Sequence, residues 1–264
     1  MMRPHVKFRK FSNYIESNLP EWQLIKHIPN KYPQLKLGKN NDKTSPSDFY
    51  IYINENIPVY ISLTSIFKNQ NILLQTLQSI IKQSRNPDKI FLYLSEEPYI
   101  LDTGFKDKKI TNSNLLKFIN DNSNIYINWV KNTGPYRKLL PLLKDKWEED
   151  CIIITIDDDT VYDSHLIENL IYDYYEQRCV IGCRGYTPSF DKIENFEYKK
   201  KGKLQNLSLN NFLTGKGGIL YKPEFFHKTQ DLIFNEEIYL DNCPTGDDIW
   251  FYIVRLLNNI KCYI

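Results

Sequence analysis

No alanine occurs in this 264-residue chain, and methionine is nearly absent, with two residues. Ile, Asn, Lys and Tyr abound instead, the pattern of AT-rich codons, so lysine and asparagine runs carry less functional weight here than usual. Only 10 glycines are present, against 14% aromatic residues, which excludes collagen-like, coiled-coil and disordered chains. No apolar run approaches the roughly 18 residues needed to span a bilayer. Met1 to Lys10 is basic but has no apolar stretch behind it, so no secretory signal is expected. The five cysteines (Cys151, Cys179, Cys183, Cys243, Cys262) contain no CxxC pair, which predicts a reduced, cytoplasmic setting. His5, His27, His165 and His227 lack metal-ligand spacing, and no Gly-x-Ser-x-Gly elbow exists, so neither a zinc site nor a serine hydrolase is supported.

What is present is a large apolar fraction, 42%, enough to fill the core of one sizeable α/β domain. The net charge of +2 does not call for a nucleic-acid partner, although residues 1–50 carry nine Lys/Arg against four Asp/Glu. Residues 1–57 are broken by Pro20, Pro29 and Pro33 and read as an N-terminal extension, available for homo-oligomer contacts, ahead of a domain over 58–264.

From Pro58 strands and helices alternate. Val59 to Ile66, Lys89 to Ser95, Asn124 to Val130 and Cys151 to Ile156 read as strands. Asn69 to Lys82, Asn112 to Ile119, Pro135 to Lys146 and Ser164 to Glu176 read as helices, the last with Asp163 as its N-cap. Right-handed crossovers then give a mostly parallel sheet flanked by helices, with ligands gathering at the carboxyl ends of its strands. Cys179 to Arg184 and Gly218 to Tyr221 read as further strands, and a Lys-rich loop at Lys199 to Lys203 lies between them. Thr245 to Leu257 reads as a last helix, followed by a strand fragment at Lys261 to Ile264.

Four stretches carry chemistry. Asp157-Asp158-Asp159 follows the most apolar strand directly. Alternation on an extended chain puts Asp157 and Asp159 on one side, where they could share a Mg²⁺ or Mn²⁺ ion, and Asp158 on the other. An acidic turn is the structural alternative. Asp247-Asp248 begins an apolar helix, where carboxylates serve either as an N-terminal cap or as a rigidly held general base. Gly215, Gly217 and Gly218 crowd three of the 10 glycines into four residues, which suits a ligand approaching the backbone or a tight turn. Asn132 to Lys138 opens a helix after a strand, so Arg137 and Lys138 are candidates to face a phosphate, or simply solvent. Thr64, Ser65 and Glu96 fall at the same sheet edge and are candidates to hold a nucleoside, while Tyr136, Tyr186 and Trp250 are candidates to stack on a sugar or base.

In this order the motifs resemble the GT-A glycosyltransferases, especially inverting family 2-like enzymes. Tyr60 to Gln83 resembles their opening nucleotide-binding unit, and Asn132 to Leu143 their Gly-x-x-x-Lys-Leu segment, with Lys138 as the lysine. Asp157 to Asp159 matches Asp-x-Asp, Gly215 to Pro223 resembles the acceptor-side glycine loop, and Pro244 to Trp250 the acidic pair that supplies the base. The resemblance implies a GT-A fold and transfer of a sugar from a nucleotide diphosphate donor, a UDP-sugar foremost, to a hydroxyl acceptor with inversion. It implies Asp248, or Asp247, as base and Asp157 and Asp159 as ligands of Mn²⁺ or Mg²⁺. Thr64, Ser65, Glu96, Arg137, Lys138, Asp157 and Asp158 would hold the donor, with Gly217, Gly218 and Trp250 beside the sugars. Asp-Asp stands here where Glu-Asp is commoner in the family. A nucleotidyltransferase on a related α/β fold and a catalytically silent carbohydrate-binding or partner-binding domain are the alternatives.

Overall fold

The computed structural model describes residues 57–186 and 206–264. The N-terminal extension up to residue 56 and the Lys-rich loop at 199–203 lie outside the described residues. The first half alternates as its hydrophobic periods dictate. β1 (Val59–Thr64) leads to helix α1 (Gln70–Ile81), β2 (Lys89–Leu94), α2 (Ser113–Asp121), β3 (Ile125–Trp129), α3 (Leu140–Asp145), β4 (Ile152–Thr155) and α4 (Leu166–Gln177). β1, β2, β3 and β4 are all parallel, in the spatial order β3-β2-β1-β4. Ile61, Leu63, Ile90, Leu92, Ile153 and Ile154 are fully buried, as strands covered on both faces require. Leu73, Leu77 and Ile80 of α1 are fully buried as well.

The second half completes the sheet. It contains β5 (Val180–Gly182), β6 (Gly185–Tyr186), β7 (Leu207–Ser208), β8 (Phe212–Leu213) and β9 (Ile219–Tyr221). Helices α5 (Gln230–Ile233), α6 (Glu236–Asn242) and α7 (Asp247–Leu257) follow, then β10 (Cys262–Tyr263). The main sheet has eight strands, β3-β2-β1-β4-β9-β5-β10-β7, and β6 pairs with β8 in a separate ribbon. β9 lies antiparallel between β4 and β5. That reversal positions the site. Because Ile219 at the start of β9 pairs with Thr155 at the end of β4, the glycines preceding β9 arrive beside the aspartates following β4.

Two local expectations change. The helix expected over Pro135 to Lys146 is split into a 3-10 segment (Gly134–Lys138) and α3, with Leu139 between them at φ −125°. Pro141 has no N–H to give the preceding turn, so it is accommodated only by restarting the helix with proline in its first turn. Asp163 does not cap α4, whose N-cap is His165. Its Oδ1 accepts the His165 backbone N–H at 2.9 Å, closing a turn just before the helix. No helix among the described residues is long and apolar enough to cross a membrane.

Candidate active site

β1 is the point where the sheet's strand order reverses: β2 and β3 extend to one side and β4 to the other. Such a switch point opens a crevice at the carboxyl ends of the strands. The crevice is bridged at its floor. Ser65, just past β1, donates its hydroxyl to Asp158 Oδ2, and Asn69 Nδ2 donates to the same oxygen at 3.1 Å. Thr76 Oγ1 donates to the Asp158 carbonyl at 2.9 Å. Burial raises the Asp158 pKa above the usual carboxylate range, against the two side-chain hydrogen bonds that favour its ionised form. Thr64 donates to the Tyr93 carbonyl at 2.8 Å, tying β1 to β2. Glu96 is exposed at the same edge, with Lys108 Nζ 3.9 Å away.

The three consecutive aspartates diverge. Asp157 turns to Lys138, with Oδ1 3.0 Å from Nζ, while Asp158 faces the β1 loop as described. Asp159 is half-exposed, with Lys216 Nζ 3.5 Å away. Tyr162, which sequence reasoning did not single out, fixes this turn: its hydroxyl accepts the Asp157 N–H at 2.9 Å and donates to the Lys216 carbonyl at 3.2 Å. One phenol therefore joins the aspartate turn to the glycine loop.

Lys138 is the centre of the cluster. Its Nζ lies 2.8 Å from Asp247 Oδ2, 3.0 Å from Asp157 Oδ1 and 4.0 Å from Asp248 Oδ1, with the side chain only 8% exposed. Burial alone would lower its pKa, but the three carboxylates outweigh that and hold it well above its ordinary value. An open, phosphate-facing lysine is therefore not what the structure places here. A buried ammonium needs counter-charges, and the chain's own carboxylates supply them.

The same correction applies to Arg137. It is buried, not presented to a ligand, and donates from Nη2 to Asp102 Oδ2 at 3.1 Å and from Nε to the Gly134 carbonyl at 3.0 Å. Asp102 also accepts from the backbone N–H groups of Phe67 and Gly104 and from Asn132 Nδ2, at 3.0, 3.1 and 3.0 Å. This pair knits together the loops that follow β1, β2 and β3. No local pattern marks Asp102 in the sequence; only the fold gives it four donors.

Of the three glycines in this loop, Gly215 alone faces the cluster. A Cβ there would lie 2.5 Å from Lys138 Nζ, 3.2 Å from Asp157 Oδ1 and 3.3 Å from Asp248 Oδ1. The space beside Gly217 is filled by Arg184 and that beside Gly218 by Leu166, so these two serve the turn into β9, Gly218 at φ +87°. Neither shares the space beside Lys138 that Gly215 occupies. Trp250 is not presented to a sugar: it is fully buried in the core, its indole N–H donating to the Ile233 carbonyl at 3.3 Å. Tyr136 is also fully buried, its hydroxyl donating to the Cys243 carbonyl at 2.6 Å.

Asp247 is buried against Lys138, whereas Asp248 keeps a 27% exposed side chain. The Gly215 N–H donates to both oxygens of Asp248, at 3.1 and 3.2 Å, which fixes the orientation of the carboxylate. Burial pushes its pKa up to about 6, assisted by the Asp247 charge and opposed by Lys138 and the Gly215 N–H. Asp248 borders an open cleft of about 500 Å³ whose walls include Tyr186, Phe212, Thr214, Thr245 and Ile249. The pairing of Tyr186 with Phe212 in the β6–β8 ribbon forms one wall. Of the three aromatics marked as candidates for stacking, Tyr186 alone borders the cleft.

The metal motif fits a hard divalent cation in part. Asp157 and Asp159 offer oxygen donors at one strand end, but no group of three or more His, Cys, Asp or Glu ligands exists among the described residues. Two carboxylates suit an ion that completes its shell with water and ligand phosphates.

No protein-family model and no curated protein matches this chain. Among solved structures it is similar to S. aureus TarS 1-349, with 13% identity, a TM-score of 0.51, and 78% of this chain matched to 60% of that one. The same protein in complex with UDP gives 15% identity, a TM-score of 0.51 and coverages of 78% and 57%. The TarS structure without that truncation gives 14% identity, a TM-score of 0.51 and coverages of 78% and 36%. The chain thus spans at most about three-fifths of the length of these neighbours, and identity this low speaks to fold. The mostly parallel sheet, its order and this likeness together place the chain in the GT-A fold.

Proposed function

We propose that this chain is a metal-dependent glycosyltransferase that moves a sugar from a nucleotide diphosphate donor, a UDP-sugar, to a hydroxyl acceptor with inversion. The observation that carries the reading is Asp248: an oriented carboxylate with a pKa near 6, on the rim of an open cleft and one lysine away from the aspartate motif. A carboxylate tuned to that range is ionised at neutral pH yet basic enough to accept a proton from a hydroxyl in the transition state. TarS has been crystallised with UDP, which favours a uridine nucleotide for the same fold.

In this reading the acceptor lies in the cleft walled by Tyr186 and Phe212, and Asp248 takes the proton from its attacking hydroxyl. The Gly215 N–H keeps the carboxylate aimed during that transfer. The donor lies along the β1/β4 crevice, with Ser65 and Asp158 at its floor and Glu96 at its edge. Asp157 and Asp159 would hold Mn²⁺ or Mg²⁺, which when bound supplies positive charge to offset that developing on the departing diphosphate. Asp247 and Lys138 form the buried support beneath the base.

The test is a panel of nucleotide sugars with and without Mn²⁺, scored by thermal shift and by nucleoside diphosphate released. Mn²⁺-dependent release of UDP, lost in Asp159→Asn, supports the reading. Release of pyrophosphate from a nucleoside triphosphate would make the chain a nucleotidyltransferase. Ligand binding without turnover, unchanged in Asp248→Asn, would make it a binding domain.

A further inference from the structure

Lys138 is bonded to both halves of the proposed site. One face of its ammonium meets Asp157, on the donor side, and another meets Asp247 and Asp248, on the acceptor side. The group is enclosed: Gly215 closes over it so tightly that a Cβ would come within 2.5 Å of Nζ. Three carboxylates thus converge on a space that holds one unit of positive charge. Among those three, only Asp157 belongs also to the metal motif.

We propose that Lys138 is a built-in counter-ion that occupies the Asp157 carboxylate in the ligand-free protein and competes there with a divalent cation. This rests on reading Asp157 as a metal ligand. Oxygen Oδ1 of Asp157 cannot serve the ammonium at 3.0 Å and a cation at full strength together, because the two positive charges repel across a few ångströms. Binding of the cation therefore weakens the Lys138–Asp157 bond, and the ammonium leans towards Asp247 and Asp248. The lysine is a positioning residue: it keeps the cluster assembled without metal and makes cation binding weak until a ligand's phosphates contribute. Gly215 has its place in the same account, since only a residue without Cβ leaves room for the ammonium among the three acids.

The experiment measures Mn²⁺ binding without any nucleotide, reading free Mn²⁺ by electron paramagnetic resonance, for the wild-type chain, Lys138→Met and Lys138→Arg. Methionine keeps the unbranched stem and removes the charge, so Asp157, Asp247 and Asp248 are left facing one another. The expected result is affinity at least about tenfold higher in Lys138→Met than in the wild type, with no such gain in Lys138→Arg, which keeps the charge. Equal affinity in Lys138→Met and wild type overturns the inference. Should the methionine variant fail to fold, the wild-type protein still decides it through the Lys138 ammonium nitrogen resonance, assigned by its loss in Lys138→Arg. That resonance shifts when Mg²⁺ is added to the UDP-bound protein relative to UDP with chelator; a resonance unmoved at saturating Mg²⁺ overturns the inference. Higher Mn²⁺ affinity in Lys138→Met, with no nucleotide-sugar turnover by the wild-type chain, would sink the functional reading alone. Turnover with unaltered Mn²⁺ affinity would sink only the role of Lys138.

Discussion

Asp248→Asn exchanges a carboxylate for an amide of nearly the same shape, and it perturbs stability and chemistry in opposite directions. The folded state pushes the Asp248 pKa up from 3.8 to about 6, chiefly by burial. At about 1.4 kcal/mol per pKa unit, holding this group ionised costs the fold about 3 kcal/mol. The sign follows from proton counting. Between pH 3.8 and about 6 the folded state binds this proton more readily than the unfolded chain, so the stability it contributes is full below pH 3.8 and lost as pH rises through 6. Asparagine is never ionised and can still offer a carbonyl oxygen to the Gly215 N–H, while Lys138 keeps Asp247 at 2.8 Å and Asp157 at 3.0 Å. The pKa of about 6 already includes the Lys138 attraction, and the poorer match of an amide to the carboxylate's contacts removes part of the gain, leaving Asp248→Asn more stable by about 1–3 kcal/mol at pH 7.5. Urea unfolding midpoints of both proteins should lie nearest each other at pH 4, diverge as pH rises to about 6, and keep a constant gap from there to pH 8. The same variant should lose sugar transfer by about 100-fold or more, as expected for a missing general base. An Asp248→Asn protein less stable than wild type at pH 7.5, or a gap that does not change with pH, would refute the reasoning.

Other substitutions separate the site from its scaffold. Gly215→Ala should cost about 1–3 kcal/mol in urea unfolding, because the new methyl meets an ammonium held by two carboxylates; it should abolish transfer as well. Asp102→Ala should cost about 3–5 kcal/mol, since it strands the buried Arg137 guanidinium. An Asp102→Ala midpoint within experimental error of wild type would show that the pair is not structural. Trp250→Ala should cost about 3–5 kcal/mol through lost core packing. A ligand role for Trp250 would instead raise KM in Trp250→Phe with stability intact. The rate of transfer should fall as pH drops below about 6, with the acid limb absent in Asp248→Asn.

The alternating pattern from Val59 to Gln177 was legible because hydrophobic period and length separate a six-residue buried strand from a twelve-residue amphipathic helix without help from distant residues. The positions of Asp157 to Asp159 and of Asp247-Asp248, at a strand end and a helix start, followed from the same local rules. What a side chain points at is not local. Lys138 and Arg137 look alike in sequence, two adjacent cations at the start of a helical segment, yet the fold sends one to three aspartates and the other to Asp102. Tyr162 and Asp102 carried no signal at all, because their partners lie in other loops.

The sequence by itself thus determined the α/β alternation, the strand ends where chemistry gathers and the concentration of acid and glycine that breaks the AT-rich background. It did so because secondary structure, capping and hydrophobic period are set by neighbours within a few residues. Only the tertiary structure decided which of those residues share a site. The antiparallel insertion of β9 beside β4 carries Gly215 to Asp157, and α7 brings Asp248 to the Gly215 N–H across 33 residues of chain. Buried charges then select their own counter-charges, since an unpaired one is too costly to keep. That selection, made among distant residues, gathered Asp157, Asp247 and Asp248 around a single lysine.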